Sequence, residues 1–279
     1  MSRFTVGIVK YGVNPHARCF EDFGKSLADA LRSLGHDVVP AHDEKPGRLI
    51  ILGGNNLRDP DHKMPLDAIV YNSEQVSAAR TPEQFIQNFH QYRKHVVWDY
   101  SETNIRALRD LGIERPVHCP VGYISSMTKI MFSDTEDIDV LFYGSINSAR
   151  REILDALDAA GLRVVRLFGV YGAERDQVIA RAKVVLNLHF YDRPVFEIFR
   201  VSHLLANKKC VVSEDGGQDV ELEAFAARAV VLEPRVRIVE RCRELVADSV
   251  ARKEIALRGF EEFRKIDLVE CVRLALEAS

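Results

Sequence analysis

Short apolar runs alternate with amphipathic helical patterns through the first half of the chain. The run FTVGIV predicts a first strand, and residues 19–34 predict a helix with one apolar face that ends at Gly35. RLIILGG, LDAIVYNSE, HVVWDYS and VHCPVGY predict further strands, of the continuously apolar kind that parallel sheets bury. Residues 83–93 and the segment ETNIRALRDLGI, which ends at Gly112, predict helices. This alternation predicts a doubly wound parallel α/β sheet.

Residues 123–137 have no clear period and predict a linker, after which the α/β pattern starts again. IDVLFYGS, LRVVRLFG, KVVLNLHF, CVVSE and ARAVVLE predict strands. The segment VFEIFRVSHLLA predicts an amphipathic helix with Asn207 as a left-handed cap. Further helices are predicted over 149–160, 174–182, 236–247, 250–264 and 267–277. We therefore expect an α/β protein of two Rossmann-like domains, residues 1–125 and 138–265, with parallel sheets facing a central cleft for a ligand.

Composition narrows the class of protein. The chain has 279 residues, 47% of them hydrophobic, and a formal net charge of -3, which fits a globular protein and gives no support for a nucleic-acid partner. No segment approaches the roughly 20 apolar residues of a transmembrane helix, and the start MSRFTVGIVKYGV does not have the apolar core of a signal peptide. The five cysteines form no CxxC pair, so we expect reduced thiols and a cytoplasmic location.

Candidate chemistry lies where the second set of strands ends, because ligands of open α/β sheets bind beyond the carboxyl ends of the strands. Gly144 and Ser145 allow close backbone approach after the strand 138–143, and Ser148 is a candidate helix cap. Arg150 and Arg151 follow in the first helical turn, where an exposed cation opposes the helix dipole by about 0.3–1 kcal/mol. A bound anion would reverse that preference, whereas solvated arginines are the plainer explanation.

The next strand ends add more polar residues on the same side. They are Asn187 and His189 at one strand end, Glu197, Arg200 and His203 at helical spacing, and Glu214 at the following strand end. A structural histidine, an intrahelical Glu–Arg pair worth about 0.2–0.5 kcal/mol and a solvated loop would each explain part of the set. Together, arginines for phosphates and glutamates for sugar hydroxyls fit a nucleotide-diphosphate ligand.

Several common motifs are absent. The loop after the first strand, KYGVNPHARCF, is not a GxGxxG fingerprint, and there is no Walker A, HExxH or GxSxG sequence. The nine histidines show no zinc spacing, and DPD at 59–61 is predicted to be a turn. No metal site is therefore predicted.

A family resemblance is carried by the segments DVLFYGSINSARREILDALDAAGLRVVRLFG, AKVVLNLHFYDRPVFEIFRVSHLLANKKCVVSE and ARKEIALRGFEEFRKIDLVECVRLAL, and more weakly by AIVYNSEQ and VVWDYSETNIRALRDLGI. These resemble GT-B glycosyltransferases, in particular the group-1-like bacterial enzymes related to the spore-maturation glycosyltransferases. The resemblance implies a nucleotide-sugar donor on residues 138–265, an acceptor against residues 1–125, and a helix in 266–279 that crosses back to the first domain. It also implies no bound metal and no cofactor beyond the NDP-sugar co-substrate.

The same resemblance assigns roles by position. It implies that Gly144 and Ser145 lie by the donor, that Arg150 or Arg151 acts with Arg200 on the phosphates, and that Glu197 or Glu214 takes sugar or ribose hydroxyls. Many relatives have two glutamates eight residues apart in this region, a pattern that this chain does not have. Ser202 or His203 is the candidate replacement for the glutamate that binds ribose.

The expected activity is transfer of a sugar from an NDP-sugar to a glycan, lipid-linked or small-molecule acceptor. An inverting reaction needs a base, for which His16 is the first candidate and Asp99 the second. His16 would otherwise be an exposed residue, and Asp99 would otherwise cap the helix near residue 102. The alternatives are a non-catalytic nucleotide-sugar-binding protein, a sugar-nucleotide epimerase, and transfer to a nucleic-acid base, which the net charge does not favour.

Overall fold

The computed structural model describes residues 1–9, 15–54, 64–76, 90–131, 133–191 and 194–279, without the side chains of 15–17, 90 and 91. The chain divides into two compact units. The first unit comprises Met1–Ser126 together with Ile266–Ser279, and the second comprises Met127–Lys265. Each unit contains one sheet, and all strand pairs of both sheets are parallel. The predicted α/β class with two parallel sheets is confirmed.

The strands are short and most of their residues are buried. They are β1 Arg3–Ile8, β2 Asp37–Val39, β3 Arg48–Leu52, β4 Ile69–Asn72, β5 Val96–Asp99, β6 Pro116–His118, β7 Ile138–Tyr143, β8 Val164–Leu167, β9 Ala182–Asn187, β10 Val211–Glu214 and β11 Val231–Glu233. The sheet of the first unit has the order β2-β1-β3-β4-β5-β6, and that of the second has the order β11-β10-β9-β7-β8. β9 therefore lies between β10 and β7, in the middle of the second sheet.

The described helices follow the strands in the expected alternation. They are α1 Glu21–Ser33, α2 Glu102–Asp110, α3 Ser148–Ala159, α4 Ala173–Arg181, α5 Ile198–Ala206, α6 Val220–Ala229, α7 Ile238–Ala247, α8 Ser249–Phe263 and α9 Leu268–Glu277. Short 3-10 helices cover Pro15–Phe20, His90–Lys94, Ser125–Met127 and Arg235–Arg237. The core of the second unit is built from apolar strand residues that α3 and α7 cover.

Residues 266–279 complete the first unit. α9 packs against α1, and Leu268 and Val272 on its inner face are fully buried. The indole Nε1 of Trp98 donates to the hydroxyl of Ser279 at 2.8 Å. Gly122 lies so close to this segment that a Cβ there would come within 2.7 Å of the backbone nitrogen of Leu268.

Several element predictions need correction. β2 was not predicted, because three half-exposed residues show no period. α6 was also missed, and residues 227–229 of the predicted strand ARAVVLE belong to it. Residues 90–94 form a 3-10 helix rather than part of an α-helix, while 83–89 and the predicted turn at 59–61 lie outside the described residues.

Two predicted caps are also wrong. Asn147, not Ser148, caps α3, because its side chain accepts from the backbone nitrogen of Arg150 at 2.9 Å. Asn207 is not left-handed, and the positive φ of 52° falls on Lys208 instead. The side chain of Asn207 is occupied by the backbone of residues 127–130 and 203, with which it makes four hydrogen bonds.

Candidate functional site

The candidate site lies at one edge of the second sheet. Because β7, β9 and β10 are adjacent and parallel, their carboxyl ends meet at that edge. Gly144 follows β7, Asn187 ends β9 and Glu214 ends β10. The polar strand ends identified in the sequence are therefore neighbours in the second unit.

Arg150 lies beneath this edge, with only 2% of its surface exposed. Its guanidinium donates to the carbonyl oxygens of Ser145 at 2.7 Å, His189 at 3.2 Å and Leu188. Burial and the nearby Arg200 lower the pKa of Arg150 to about 10, so it still carries its charge at neutral pH. The expectation of a solvated arginine is wrong here, because the side chain ties the β7 and β9 ends together.

Arg151 differs from its neighbour. It is exposed in the first turn of α3. Among the described residues, no hydrogen bond or ion pair engages its side chain. Of the two adjacent arginines, Arg151 is therefore the one whose donors are available, and its contact with phosphate stays a prediction.

Glu197 is the centre of the polar network at the edge. Its Oε2 accepts from Nδ2 of Asn187 and from Nδ1 of His189, both at 3.0 Å, and its Oε1 lies 3.4 Å from Nη2 of Arg150. Burial opposes the charged form of Glu197, but the bond from His189 and the nearby arginines prevail and lower its pKa. Glu197 is thus an anion held among cations, and its hydrogen-bond partners at 3.0 Å are Asn187 and His189 rather than Arg200.

Arg200 bonds to the amide oxygen of Asn187, whereas Glu197 bonds to the amide nitrogen. Its Nη1 donates to Oδ1 of Asn187 at 3.0 Å, and its guanidinium carbon lies 5.7 Å from the ring centres of Phe142 and Tyr143. The side chain is half-buried, and one of its five N–H donors has a hydrogen-bond partner among the described residues. Arg200 is therefore a positioned cation with donors left for an anion.

Gly144 lies directly against Arg200. A Cβ at Gly144 would approach Nη2 of Arg200 to 2.9 Å, and the φ of 138° is one that side-chain-bearing residues rarely adopt. The φ angle requires glycine at the end of β7, and an added Cβ would displace the end of the Arg200 side chain. The Arg200 side chain therefore lies directly against the backbone of Gly144, and the contact of Gly144 with the donor stays a prediction.

Glu214 holds the ends of β9 and β10 together. Its Oε2 accepts from the backbone nitrogen of His189 at 3.1 Å, and its Oε1 accepts from Nε of Arg235 at 2.8 Å. The residue is buried, so both oxygens are engaged within the unit. Sequence reasoning missed Arg235, since an arginine after a proline at a helix start carries no recognisable signal.

A second buried cluster involves His203 of α5. Its Nε2 lies 2.9 Å from Oδ1 of Asp176 and 2.8 Å from Nη2 of Arg175. Burial opposes the charge of Asp176, but its bonds from His203 and Arg175 lower its pKa. Ser202 is also buried and bonds to the carbonyl of Phe199 at 3.3 Å. The ribose role of Ser202 or His203 stays a prediction.

Asp99 in the first unit is fully buried. Its Oδ2 accepts from Asn72 at 2.6 Å, and its Oδ1 accepts from the backbone of Ser101 at 2.8 Å and from Asn104 at 3.1 Å. The cap of α2 is Ser101, not Asp99. His16 falls in the 3-10 helix Pro15–Phe20, and its side chain lies outside the described residues. The base assignments of both residues stay predictions.

The described residues contain neither a metal-ion cluster nor a membrane-spanning helix. Across those residues, no group of three or more His, Cys, Asp or Glu side chains is arranged to hold a metal ion. Within the same ranges, no helix combines the length and apolar character that crossing a bilayer requires.

Solved glycosyltransferases share this fold. HepE of Anabaena, in complex with UDP and glucose, matches with a TM-score of 0.65 at 12% identity, over 99% of each chain. WaaG, a glycosyltransferase of lipopolysaccharide biosynthesis, matches with a TM-score of 0.58 at 11% identity over 100% of each chain. The DNA-modifying enzyme beta-glucosyltransferase matches with a TM-score of 0.55 at 13% identity, over 100% of this chain and 97% of that one. This chain has the GT-B glycosyltransferase fold.

Similarity in sequence leads to viral proteins. An uncharacterized protein of Acanthamoeba polyphaga mimivirus is 29% identical over 82% of this chain and 76% of its own length. A second uncharacterized protein of the same virus is 30% identical over 54% of this chain, which covers 21% of that protein's length. A third is 25% identical over 74% of this chain, which covers 20% of that protein's length. No family model matches the chain.

Proposed function

We propose that this chain is a glycosyltransferase that takes its sugar from a nucleotide-diphosphate sugar bound at the edge formed by β7, β9 and β10. The observation that carries the proposal is the network around Glu197. The partly buried carboxylate of Glu197, 15% exposed, is held in place by Asn187 and His189, and the half-buried cation Arg200 lies beside it. A sugar diphosphate needs both a cation for its phosphates and a carboxylate for its hydroxyls.

The mechanism follows from the charge that develops. As the glycosidic bond breaks, the leaving nucleoside diphosphate gains negative charge, and preorganised cations stabilise that charge. Arg200 and the exposed Arg151 supply this stabilisation without a metal ion. Arg150 acts indirectly, because its donors already hold the carbonyls of Ser145, Leu188 and His189.

The acceptor proton needs a base if the reaction inverts the sugar. His16 is the proposed base, because both oxygens of Asp99 already accept hydrogen bonds inside the first unit. The acceptor is proposed to bind to the first unit. The solved relatives include enzymes of lipopolysaccharide biosynthesis and DNA modification, so the shared fold accommodates very different acceptors.

We also propose a glycosyltransferase group and a cellular location for this chain. We place the chain with the group-1-like glycosyltransferases related to the spore-maturation enzymes, on the strength of the segments that surround Glu197. A cytoplasmic location is proposed because a sugar-nucleotide donor and reduced thiols both fit that compartment, and the five cysteines of the described structure are free.

The test is nucleotide binding by calorimetry, with UDP, GDP, ADP, CMP and dTDP, each with and without Mg²⁺. We expect saturable binding of one nucleotide that does not depend on the metal and that Arg200→Ala and Glu197→Ala abolish. Arg243→Ala is the matched control, because Arg243 is exposed on α7. Binding of no nucleotide would contradict the donor site. Hydrolysis of the matching NDP-sugar then separates an enzyme from a non-catalytic binding protein.

A further inference from the structure

Two buried polar atoms next to the Glu197 network have no hydrogen-bond partner among the described residues. They are Nε2 of His189 and Oε1 of Glu223. The side chain of His189 is only 4% exposed, and its other ring nitrogen is committed to Glu197 at 3.0 Å. Buried polar groups in native proteins are nearly always paired, so a donor and an acceptor both left unpaired at a candidate site indicate a ligand group.

Glu223 reaches the site from the first turn of α6. Its carboxylate lies against Gly217, where an added Cβ would fall only 1.9 Å from Oε1. Gln218, the next residue, donates its backbone N–H to the carbonyl of Pro194 at 2.8 Å. The loop under Glu223 is therefore bound to the segment that leads directly into Glu197.

A hydrogen bond to the last residue of β10 holds His189 at the sheet edge where the Gly217 loop begins. Its backbone nitrogen donates to Glu214, the last residue of that strand, at 3.1 Å. Because the Gly217 loop follows Glu214 in the chain, His189 and Glu223 lie at the same sheet edge. They are close enough that the charge of each affects the pKa of the other.

The protonation of the pair indicates what kind of group fits. Burial disfavours the charged imidazolium, but the Glu197 carboxylate overcomes this effect and raises the pKa of His189. Burial raises the pKa of Glu223, and the charge of His189 opposes that shift. When both ring nitrogens of His189 carry a proton, Nε2 is a donor, and Oε1 of the ionised Glu223 carboxylate is an acceptor. A hydroxyl group can accept from the first and donate to the second. A phosphate oxygen would be repelled by the carboxylate of Glu223.

We propose that His189 and Glu223 together bind one hydroxyl group of the donor's sugar, which makes Glu223 a specificity-determining residue for the sugar that is transferred. This inference rests on the proposed function, since it needs a nucleotide sugar at this edge. A sugar without that hydroxyl leaves both buried atoms unpaired, and sites built to bind a hydroxyl reject such analogues strongly.

The experiment compares two affinities for each variant. Calorimetry measures the Kd of the nucleoside diphosphate that wild type binds, and of its glucose, galactose, mannose, N-acetylglucosamine and xylose esters. In wild type, one ester binds more tightly than the diphosphate alone. We expect Glu223→Ala to weaken that ester by about tenfold or more and to leave the Kd of the diphosphate unchanged. Glu223→Gln keeps an acceptor oxygen and should retain most of the gain.

Glu221→Ala is the matched control, because Glu221 is exposed in the same helical turn and its loss changes the net charge equally. If the diphosphate binds and Glu223→Ala weakens it as much as the ester, or weakens neither, the inference is overturned while the donor site stands. If wild type gains no affinity from any sugar, the inference is likewise overturned. If wild type binds no diphosphate at all, the proposed function fails, and this inference fails with it.

Discussion

Replacement of Arg150 by alanine tests whether this buried arginine holds the ends of β7 and β9 in place. In the wild-type protein its guanidinium satisfies the carbonyls of Ser145, Leu188 and His189 and lies beside Glu197. Alanine removes all of these donors from a position where the side chain is 2% exposed. The carbonyls at the ends of β7 and β9 then lose their partner, and the Glu197 carboxylate loses one of its nearby cations.

The structure sets the size of the effect. A hydrogen bond from a charged donor contributes about 1.5–3 kcal/mol, and breaking a buried ion pair from one side costs about 3–5 kcal/mol. Part of the lost hydrogen-bond energy is recovered when water bonds to the exposed carbonyl oxygens. We therefore expect Arg150→Ala to lower the free energy of unfolding by about 3 kcal/mol. For a unit of this size, that corresponds to a fall in Tm of roughly 10 °C.

Thermal unfolding monitored by calorimetry measures the shift, and Arg151→Ala is the control. Arg151 is the next residue in the chain but is exposed, so its replacement should change the free energy of unfolding by less than about 0.5 kcal/mol. Arg150→Lys should restore little, because one ammonium does not reproduce the planar fork that reaches several carbonyls. Equal Tm values for Arg150→Ala and Arg151→Ala would refute the structural role of Arg150.

Three further predictions concern pH dependence, backbone geometry and the base. Burial opposes the charge of Asp139, but bonds from Arg163 and Lys183 lower its pKa below the ordinary 3.8. Asp139→Asn should therefore destabilise the protein at pH 7, and the difference from wild type in urea unfolding should shrink as the pH falls below about 4. Gly144→Ala should weaken diphosphate binding by about tenfold or more, measured by calorimetry, because the new Cβ displaces Arg200 and the backbone is strained. His16→Ala should lower the turnover of an inverting reaction by about a hundredfold or more, and unchanged turnover would remove His16 from the base role.

The sequence predicted the sheets well because parallel strands are buried on both faces and therefore read as apolar runs. It also predicted that polar strand ends would meet, since topology alone brings Asn187 and Glu214 to one edge. β2 escaped detection because it is too short to display a period. Residues 220–229 were missed as a helix because their apolar positions run on into the strand that follows.

The hydrogen-bond partners of individual side chains could not be predicted from the sequence. Arg150 and Arg151 are equivalent in any pattern, and only the packing of α3 on the sheet decides which one is buried. The pairing of Glu197 with His189 joins the residue before α5 to the segment after β9, and no spacing rule describes such a contact. Glu223 follows a loop of two glycines whose shape depends on its bond to Pro194.

The composition of the first unit has a consequence for how the protein is made. Residues 1–126 leave the ribosome before the second unit, yet they are completed by residues 266–279. At about 5–20 residues per second, the intervening segment takes on the order of ten seconds to synthesise. During that interval α9 is not yet available to pack against α1. Ser279, which accepts the hydrogen bond from Trp98 and lies 181 positions later in the sequence, has not yet been synthesised. The second unit is contiguous and can fold first, so the nascent first unit is the part of this protein that chaperones would have to protect.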